Sequence, residues 1–332
     1  MRKPFFVIVI SVCLVLSLGL GLFGCKQAPK EKTFFAMNTL MTVSLYGDSA
    51  LLDECGRLLA SLDRTLSATD PTSEVYRLNH GGTSEDEHVK ELLDKSFALA
   101  RLTEGAFDPT VYPVVRAWGF TTGGYRVPAQ DELTAALSKV GYERIAWKEG
   151  AVSLPQGMEI DFGGIAKGYA GDLVKRYLLD KGLTSGLLNL GGNVVAIGSK
   201  PDGTPYRIAV KDPQGEGYMC ILPIVDKSVV TSGLYERYFE KDGVKYGHIV
   251  NPATGYPVDN GFLSVTVVGE DGAKCDALST ALFVMGPQKA CEFAKSNALS
   301  VVMATEDCLY VSSDLSSSIA WKGEQNKRVV TL

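Results

Sequence analysis

Two oxygen-bearing side chains, Asp276 and Thr280, lie four positions apart at the start of a predicted helix. Residues with this spacing share one helix face, so a carboxylate and a hydroxyl can face a single hard cation. Two oxygens are too few for Mg²⁺, which usually completes its shell with waters and substrate phosphates. The pair therefore indicates a phosphate-bearing substrate rather than a structural ion. The alternative is that both side chains cap the helix or face solvent.

A second candidate is the junction from Glu159 to Asp172, where an apolar strand end meets Asp161, Gly163 and Gly164. Glycines let backbone groups approach a ligand closely, and the helix that follows, near Lys167, presents unpaired N–H groups that can hold phosphate. The segment therefore indicates a ligand-facing corner. A tight turn with no ligand explains the same residues.

His248 lies between an apolar strand and a turn, and it is one of only three histidines. It is a candidate general base if a nucleophilic hydroxyl comes within hydrogen-bond reach, and otherwise a structural histidine. The glycine pairs of the chain form neither the Gly-x-Gly-x-x-Gly fingerprint nor a Gly-Lys-Ser/Thr loop. An ordinary Rossmann or P-loop site is therefore not supported.

The N-terminus has the pattern of an export signal. Arg2 and Lys3 precede an apolar run from Phe5 to Phe23, and the run ends in Leu22-Phe23-Gly24-Cys25. The pattern resembles a bacterial lipoprotein signal with Cys25 as the lipidated residue, although an uncleaved membrane helix has the same length. We expect a signal peptide at 1–24, a lipid-anchored linker at 25–32 and a catalytic domain at 33–332. The domain would then face the extracytoplasmic or periplasmic side of the cell membrane.

The composition is that of an ordinary globular protein. Of the 332 residues, 45% are hydrophobic and 21% are charged, and the net charge is −5. Without a basic field or a Lys/Arg-rich run, nucleic acid is not expected as a partner. The seven cysteines include no Cys-x-x-Cys pair, which favours buried apolar cysteines over a zinc site, with one disulfide left open.

Helical and strand patterns alternate irregularly. Apolar periodicity predicts helices at 51–62, 89–101, 131–140 and 274–285, and another after Gly164. Strand patterns dominate from 187 to 268, many of them too close together for parallel crossovers. The stretch 34–46 has strand composition that polar residues interrupt. We therefore predict an α+β fold with mixed, largely antiparallel sheets and packed helices.

The order of the polar motifs along the chain resembles the ApbE family, the FAD:protein FMN transferases. The resemblance spans about residues 33 to 320. It is carried by Met37-Asn38-Thr39, Ala106-Phe107-Asp108-Pro109-Thr110, Asp161-Phe162-Gly163-Gly164-Ile165-Ala166-Lys167-Gly168-Tyr169-Ala170, Asn189-Leu190-Gly191-Gly192, His248 to Gly255 and Asp276-Ala277-Leu278-Ser279-Thr280. Ligand groups drawn from residues 37 to 280 favour one interdependent catalytic unit over two domains.

The resemblance implies a ligand set. It assigns Mg²⁺ to the Gly164 carbonyl, Asp276 and Thr280. It assigns FAD contacts to Met37, Ala106, Phe107, Asp108, Asp161, Lys167 and Val250. Members of the family often carry an aromatic residue where this chain has Thr69, so a stacking contact with the flavin is not expected there.

The resemblance also implies a reaction. FMN would pass from FAD to a Thr or Ser hydroxyl of a partner protein through a phosphoester bond, and AMP would be released. His248 would accept the hydroxyl proton, Asp276 would act through the metal, and Arg237 or Lys167 would offset phosphate charge.

The acceptors would be membrane redox subunits with a segment resembling Asp-x-Ser/Thr-Ser/Thr-Gly-Ala-Thr. Two alternatives remain open. The same site could split FAD into FMN and AMP as a Mg²⁺-dependent pyrophosphatase. The chain could instead be a non-catalytic flavin-binding lipoprotein, which would need no metal pair.

Overall fold

The computed structural model describes residues 28–148, 150–322 and 327–332. Seventeen strands and nine α-helices lie in these ranges. The helices are α1 (Ala50–Leu66), α2 (Glu74–Asn79), α3 (Glu87–Leu102), α4 (Tyr112–Ala117), α5 (Gln130–Leu137), α6 (Ala166–Asp180), α7 (Gly272–Met285), α8 (Pro287–Ser296) and α9 (Ser313–Ser316).

Eight of the strands, from β6 to β13, follow one another without an intervening helix. They are β1 (Lys30–Ala36), β2 (Thr39–Leu45), β3 (Thr83–Ser84), β4 (Ala146–Lys148), β5 (Ala151–Ser153), β6 (Gly186–Leu190), β7 (Asn193–Ile197), β8 (Tyr206–Lys211), β9 (Tyr218–Ile224), β10 (Ser228–Gly233), β11 (Tyr238–Lys241), β12 (Val244–Gly247), β13 (Phe262–Gly269), β14 (Ser300–Thr305), β15 (Cys308–Val311), β16 (Ala320–Trp321) and β17 (Arg328–Thr331).

A nine-stranded sheet runs through the molecule in the order β1-β2-β6-β7-β10-β13-β14-β15-β17. Its neighbouring strands pair antiparallel except for β15 and β17, which are parallel. Three smaller sheets accompany it: β8 with β9 and β16, β3 with β4 and β5, and the hairpin β11–β12. The predicted α+β class with mixed, largely antiparallel sheets is confirmed.

The two faces of the large sheet bury different cores. Side chains alternate between the faces of a strand, so Val301 and Met303 of β14 pack towards the helices, whereas Val302 and Ala304 pack towards β8 and β9. The helix side holds the larger core, which includes α6 and α7. The candidate site lies on this side.

The stretch 34–46, predicted as one interrupted strand, is a hairpin. Strands β1 and β2 pair in full register, and the turn residues Met37 and Asn38 have φ angles of 49° and 58°. Positive φ at both central residues is the geometry of a two-residue hairpin turn, whose twist matches that of the strands. The polar interruption therefore marks a reversal of the chain.

Helices α6 and α7 touch through glycine. A methyl group at Gly168 would overlap the carbonyl oxygen of Gly272, so the two backbones lie closer than any side chain would allow. Each helix also bonds to the other: Asp172 of α6 accepts hydrogen bonds from the Gly272 and Ala273 amides at 2.8 and 2.9 Å. In return, Asp276 of α7 accepts one from the Gly168 amide at 2.9 Å. The contact fixes where the Asp276 carboxylate lies.

A third apolar cluster supports the segment that contains His248. Trp118 is fully buried against Phe239 and Tyr246 of the β11–β12 hairpin, and its Nε1 donates to the Gly255 carbonyl at 2.8 Å. The hairpin and the turn that follows His248 are thereby held against α4.

The cysteines of residues 28–148, 150–322 and 327–332 are all unpaired, and Cys55, Cys220 and Cys275 are buried. Burial raises the pKa of each of these three thiols to about 12, as expected of small apolar core residues. The predicted signal peptide and Cys25 lie outside the described residues. Within the described ranges, no helix has the length and apolarity that a membrane crossing requires.

Replacing Gly168 with Ala tests the helix contact. We expect a loss of about 1–3 kcal/mol in the free energy of unfolding, because the added methyl group must push the helices apart. Denaturant-induced unfolding measures the change. Gly124→Ala is the matched control, since a methyl group there makes only an ordinary contact at 3.4 Å with Thr122 Oγ1. Equal stability of the two variants would contradict the proposed constraint.

Candidate active site

Asp276 is the buried acid at the centre of the candidate site. Its side chain is only 5% exposed, and burial raises its pKa, whereas the nearby Lys167 ammonium lowers it. The Gly168 amide holds one carboxylate oxygen, Oδ2. No Lys, Arg or His of the described residues forms an ion pair with Asp276. A bound cation would compensate this buried charge.

The other two predicted metal ligands lie beside Asp276. Thr280 is one helical turn further along α7, with Oγ1 at 3.4 Å from the Asp276 carbonyl oxygen. A Cβ on Gly164 would lie 3.5 Å from Thr280 Oγ1, so the glycine and the hydroxyl are in contact across the site. Ser232 of β10, which was not predicted, adds a hydroxyl at 3.3 Å from Thr280 Oγ1. Asp276 and the hydroxyls of Thr280 and Ser232 therefore lie together beside Gly164, whose carbonyl is the third predicted ligand.

This donor set fits Mg²⁺ by its chemistry. All the donors are hard oxygens, which Mg²⁺ prefers, whereas zinc prefers nitrogen and sulfur. Across the ranges that the structure describes, no group of three or more His, Cys, Asp and Glu could hold a metal ion. The site thus has too few protein ligands for a closed structural metal, and substrate oxygens would have to complete the shell.

The Asp161 segment is hydrogen-bonded to the turn that precedes α4. The Asp161 amide donates to the Pro109 carbonyl at 2.9 Å, which joins the predicted corner to the Ala106–Thr110 motif. Burial raises the pKa of Asp161, while the amides of Gly163 and Phe162 and the charges of Arg237 and Lys167 lower it. Its carboxylate lies against Gly163, where a Cβ would be 2.7 Å from Oδ2. The corner therefore carries a half-buried acid near two cationic side chains.

The Ala106–Asp108 motif serves the fold as well as the site. The Phe107 ring packs on Gly164, where a Cβ would lie 3.3 Å from the ring. Asp108 Oδ1 caps the short 3₁₀ turn Pro109–Val111, because it accepts from the Thr110 amide at 2.8 Å and from Thr110 Oγ1 at 2.6 Å. Ala106 is half-buried against the main core. A contact of Asp108 with FAD would therefore use the backbone rather than this occupied oxygen.

Met37 and the β6–β7 turn meet at one end of the large sheet. The Thr39 side chain, next to the Met37 turn, packs directly on Gly191. Gly191 and Gly192 have φ angles of 66° and 100°, which glycine adopts without strain. The next residue, Asn193, is 3% exposed and lies close enough to Asp276 to lower the pKa of that carboxyl. The motif Asn189-Leu190-Gly191-Gly192, which the sequence indicated, ends one residue before Asn193.

His248 is held in one tautomer. Its Nδ1 lies 3.1 Å from the Arg237 carbonyl oxygen, which also accepts a hydrogen bond from the His248 amide at 3.1 Å. A carbonyl can only accept, so Nδ1 carries the proton and Nε2 is left as an acceptor. Burial, together with the charges of Arg237 and Lys167, lowers the pKa of His248 to about 4, although the hydrogen bond to the Arg237 carbonyl acts in the opposite direction. The imidazole is therefore neutral at pH 7, as a general base must be.

Lys167 is the cation shared by the acidic groups. Its charge lowers the pKa of Asp161, Asp276 and Glu236, although burial raises all three. Glu236, in the loop between β10 and β11, was not predicted because its partners are distant in sequence.

Val250 is 6% exposed, and its side chain packs in the Trp118 cluster. Its predicted contact with FAD would therefore use the backbone.

The chain resembles known proteins over most of its length. The sequence model of the ApbE family matches residues 37–303. A protein named FAD:protein FMN transferase from Vibrio cholerae is 33% identical over 300 residues, covering 85% of this chain and 90% of the relative. A protein of the same name from Treponema pallidum is 32% identical over 312 residues, covering 85% of this chain and 86% of the relative.

A solved structure shows the same fold. The crystal structure of the ApbE protein from Thermotoga maritima superposes with a TM-score of 0.79 at 36% identity, and the match covers 84% of this chain and 94% of that one.

The protonation of His248 can be measured without substrate. We expect its ring resonances in NMR spectra of the ligand-free protein to stay constant from pH 7.5 to about 5.5, because the pKa lies near 4. Spectra of a His248→Gln variant assign the signals. A midpoint near 6.5, the usual value for histidine, would contradict the burial of the ring.

Proposed function

Because the chain belongs to the ApbE family, we propose that it is a FAD:protein FMN transferase. Its relatives from Vibrio cholerae and Treponema pallidum bear that name and match along nearly their whole length. The observation that carries the proposal is the convergence of Gly164, Asp276 and Thr280 beside Lys167. The non-catalytic alternative, a flavin-binding lipoprotein, gives no reason for a buried carboxylate within an all-oxygen donor set.

In the proposed reaction, FMN passes from FAD to a Thr or Ser hydroxyl of the acceptor protein. The hydroxyl oxygen attacks the FMN phosphorus, a new P–O bond forms, and the phosphoanhydride bond breaks so that AMP leaves with the bridging oxygen. His248 Nε2 takes the hydroxyl proton, because Nδ1 is already occupied by the Arg237 carbonyl.

The remaining groups orient the substrate and offset its charge. Mg²⁺, when bound by Gly164, Asp276 and Thr280, would supply positive charge to the pyrophosphate. Lys167 and Arg237 provide fixed positive charge near the same position, as their effects on the pKa of Asp161 indicate. The buried Phe107 ring, packed on Gly164, excludes water from one side of the site.

The transfer assay uses FAD, Mg²⁺ and a protein with an Asp-x-Ser/Thr-Ser/Thr-Gly-Ala-Thr-like segment. We expect flavin fluorescence that comigrates with the acceptor under denaturing conditions, together with free AMP. Asp276→Ala should lower the rate at least about 100-fold, the scale for loss of one preorganised charged group. The exposed Asp180→Asn is the control. AMP release with free FMN and no labelled acceptor would favour the pyrophosphatase alternative.

His248→Ala separates proton transfer from binding in the same assay. FAD and Mg²⁺ should still bind, while transfer slows by about 100-fold or more, as expected for loss of a general base. Full activity of this variant would remove His248 from the mechanism while leaving the Asp276 assignment intact.

The cellular place of the reaction is a further part of the proposal. The apolar run and Cys25 favour a lipid-anchored protein on the extracytoplasmic side of the membrane, where membrane redox subunits would be the acceptors. Cells fed labelled palmitate should incorporate the label into the wild-type chain and not into Cys25→Ser. Label retained in Cys25→Ser would contradict the anchor.

A further inference from the structure

Asn79, the last residue of α2, forms a pair of hydrogen bonds with the backbone of Ile160. Its Nδ2 donates to the Ile160 carbonyl at 2.9 Å, and its Oδ1 accepts from the Ile160 amide at 2.8 Å. A backbone carbonyl can only accept and an amide N–H can only donate, so the orientation of the side-chain amide is fixed. The two residues lie 81 positions apart, and the pair of bonds therefore joins distant segments of the chain.

The Asn79 side chain does for Ile160 what a neighbouring strand would do. Among the described residues, 158–162 belong to no helix or strand, although they lie between β5 and α6. In an antiparallel sheet, paired residues exchange both their N–H and C=O groups, and the amide of Asn79 satisfies the same two groups of Ile160. The following amide, that of Asp161, donates to the Pro109 carbonyl instead. Asn79 and Pro109 thus hold successive residues of one irregular segment.

The segment that Asn79 holds leads directly into the candidate site. Ile160 is fully buried in the helix-side core, so core packing and the pair of bonds fix the same residue. Asp161 follows at once, and Gly164, three residues further on, lies beside Thr280. A shift of the Ile160 backbone would therefore move Asp161 and Gly164 relative to α7.

These contacts make Asn79 a positioning residue. We propose that Asn79 holds the corner from Ile160 to Gly164 in the conformation that binds FAD, an inference that rests on the proposed function. Without the two bonds, the Ile160 amide and carbonyl would bond to water, and the corner would have to be ordered each time FAD binds. Ordering a segment at binding lowers the affinity, whereas a preorganised segment avoids that cost. Asn79 acts through Ile160 and needs no contact of its own with FAD.

Replacing Asn79 with Ala tests the proposal. We expect FAD to bind about 10-fold more weakly, the scale on which two hydrogen bonds contribute to the ordering of the corner. Quenching of FAD fluorescence at saturating Mg²⁺ measures the affinity. An FAD affinity within about twofold of wild type would overturn the proposal.

Asn260→Ala is the matched control. Asn260 is also half-buried, and its side chain also bonds to the backbone: Nδ2 donates to the Phe283 carbonyl at 2.7 Å, and Oδ1 accepts from the Phe262 amide at 3.3 Å. Phe283 lies about two turns beyond Asp276 on α7. Both variants should unfold at a lower temperature than wild type, but only Asn79→Ala should weaken FAD binding. Equal losses of FAD affinity would indicate general destabilisation and overturn the proposal.

Hydrogen exchange reports on the corner directly. In ligand-free Asn79→Ala, the amides of residues 160 to 164 should exchange faster than in wild type, because the Ile160 amide has lost its acceptor. Saturating FAD should restore part of the protection. Unchanged exchange in the ligand-free variant would mean that the core alone holds the corner, which contradicts the positioning role.

These measurements also separate the role of Asn79 from the proposed function. If the wild-type protein binds FAD but transfers no FMN, the transferase assignment fails, and the binding and exchange comparisons still decide the role of Asn79. If FMN transfer occurs and Asn79→Ala binds FAD like wild type, the transferase assignment stands and the positioning role is refuted.

Discussion

The close contact between Gly168 and Gly272 is the constraint on which the site depends. Any side chain at Gly168 would separate α6 from α7, and the Gly168 amide would then lose Asp276. The reciprocal bonds from Asp172 to the start of α7 complete the contact. A helix N-terminus has unpaired N–H groups, and here each helix satisfies those of its neighbour. The same contact that closes the core therefore also orients the central carboxylate.

The remaining functional groups come from turns at the strand ends and depend on the sheet for their positions. The β6–β7 turn brings Asn193 towards α7, and β10 brings Ser232 to the hydroxyl of Thr280. Lys167 then offsets the charge of acids that lie on three different segments. Few of these groups are adjacent in sequence, so the α+β fold acts as one unit in forming the site.

Sequence patterns predicted those parts of the site that depend on local spacing. The interval between Asp276 and Thr280 placed both on one helix face, and the Gly163–Gly164 pair indicated a close approach. The cap that Asp108 forms with Thr110, two residues further on, is equally local. Asn193 and Glu236 could not be predicted, because their environments form only when segments distant in sequence meet. The roles of the predicted ligands remain predictions.

The β11–β12 hairpin has a consequence for the tautomer of His248. In the described ranges, these two strands pair only with each other, and their shared base is the bond between His248 and the Arg237 carbonyl. A two-stranded ribbon has little stability of its own and opens more readily than the centre of a large sheet. Each such opening would release the Nδ1 proton from its acceptor and free the ring to rotate. The basicity of Nε2 is thus coupled to a local folding equilibrium, which the aromatic packing around Trp118 shifts towards the closed form.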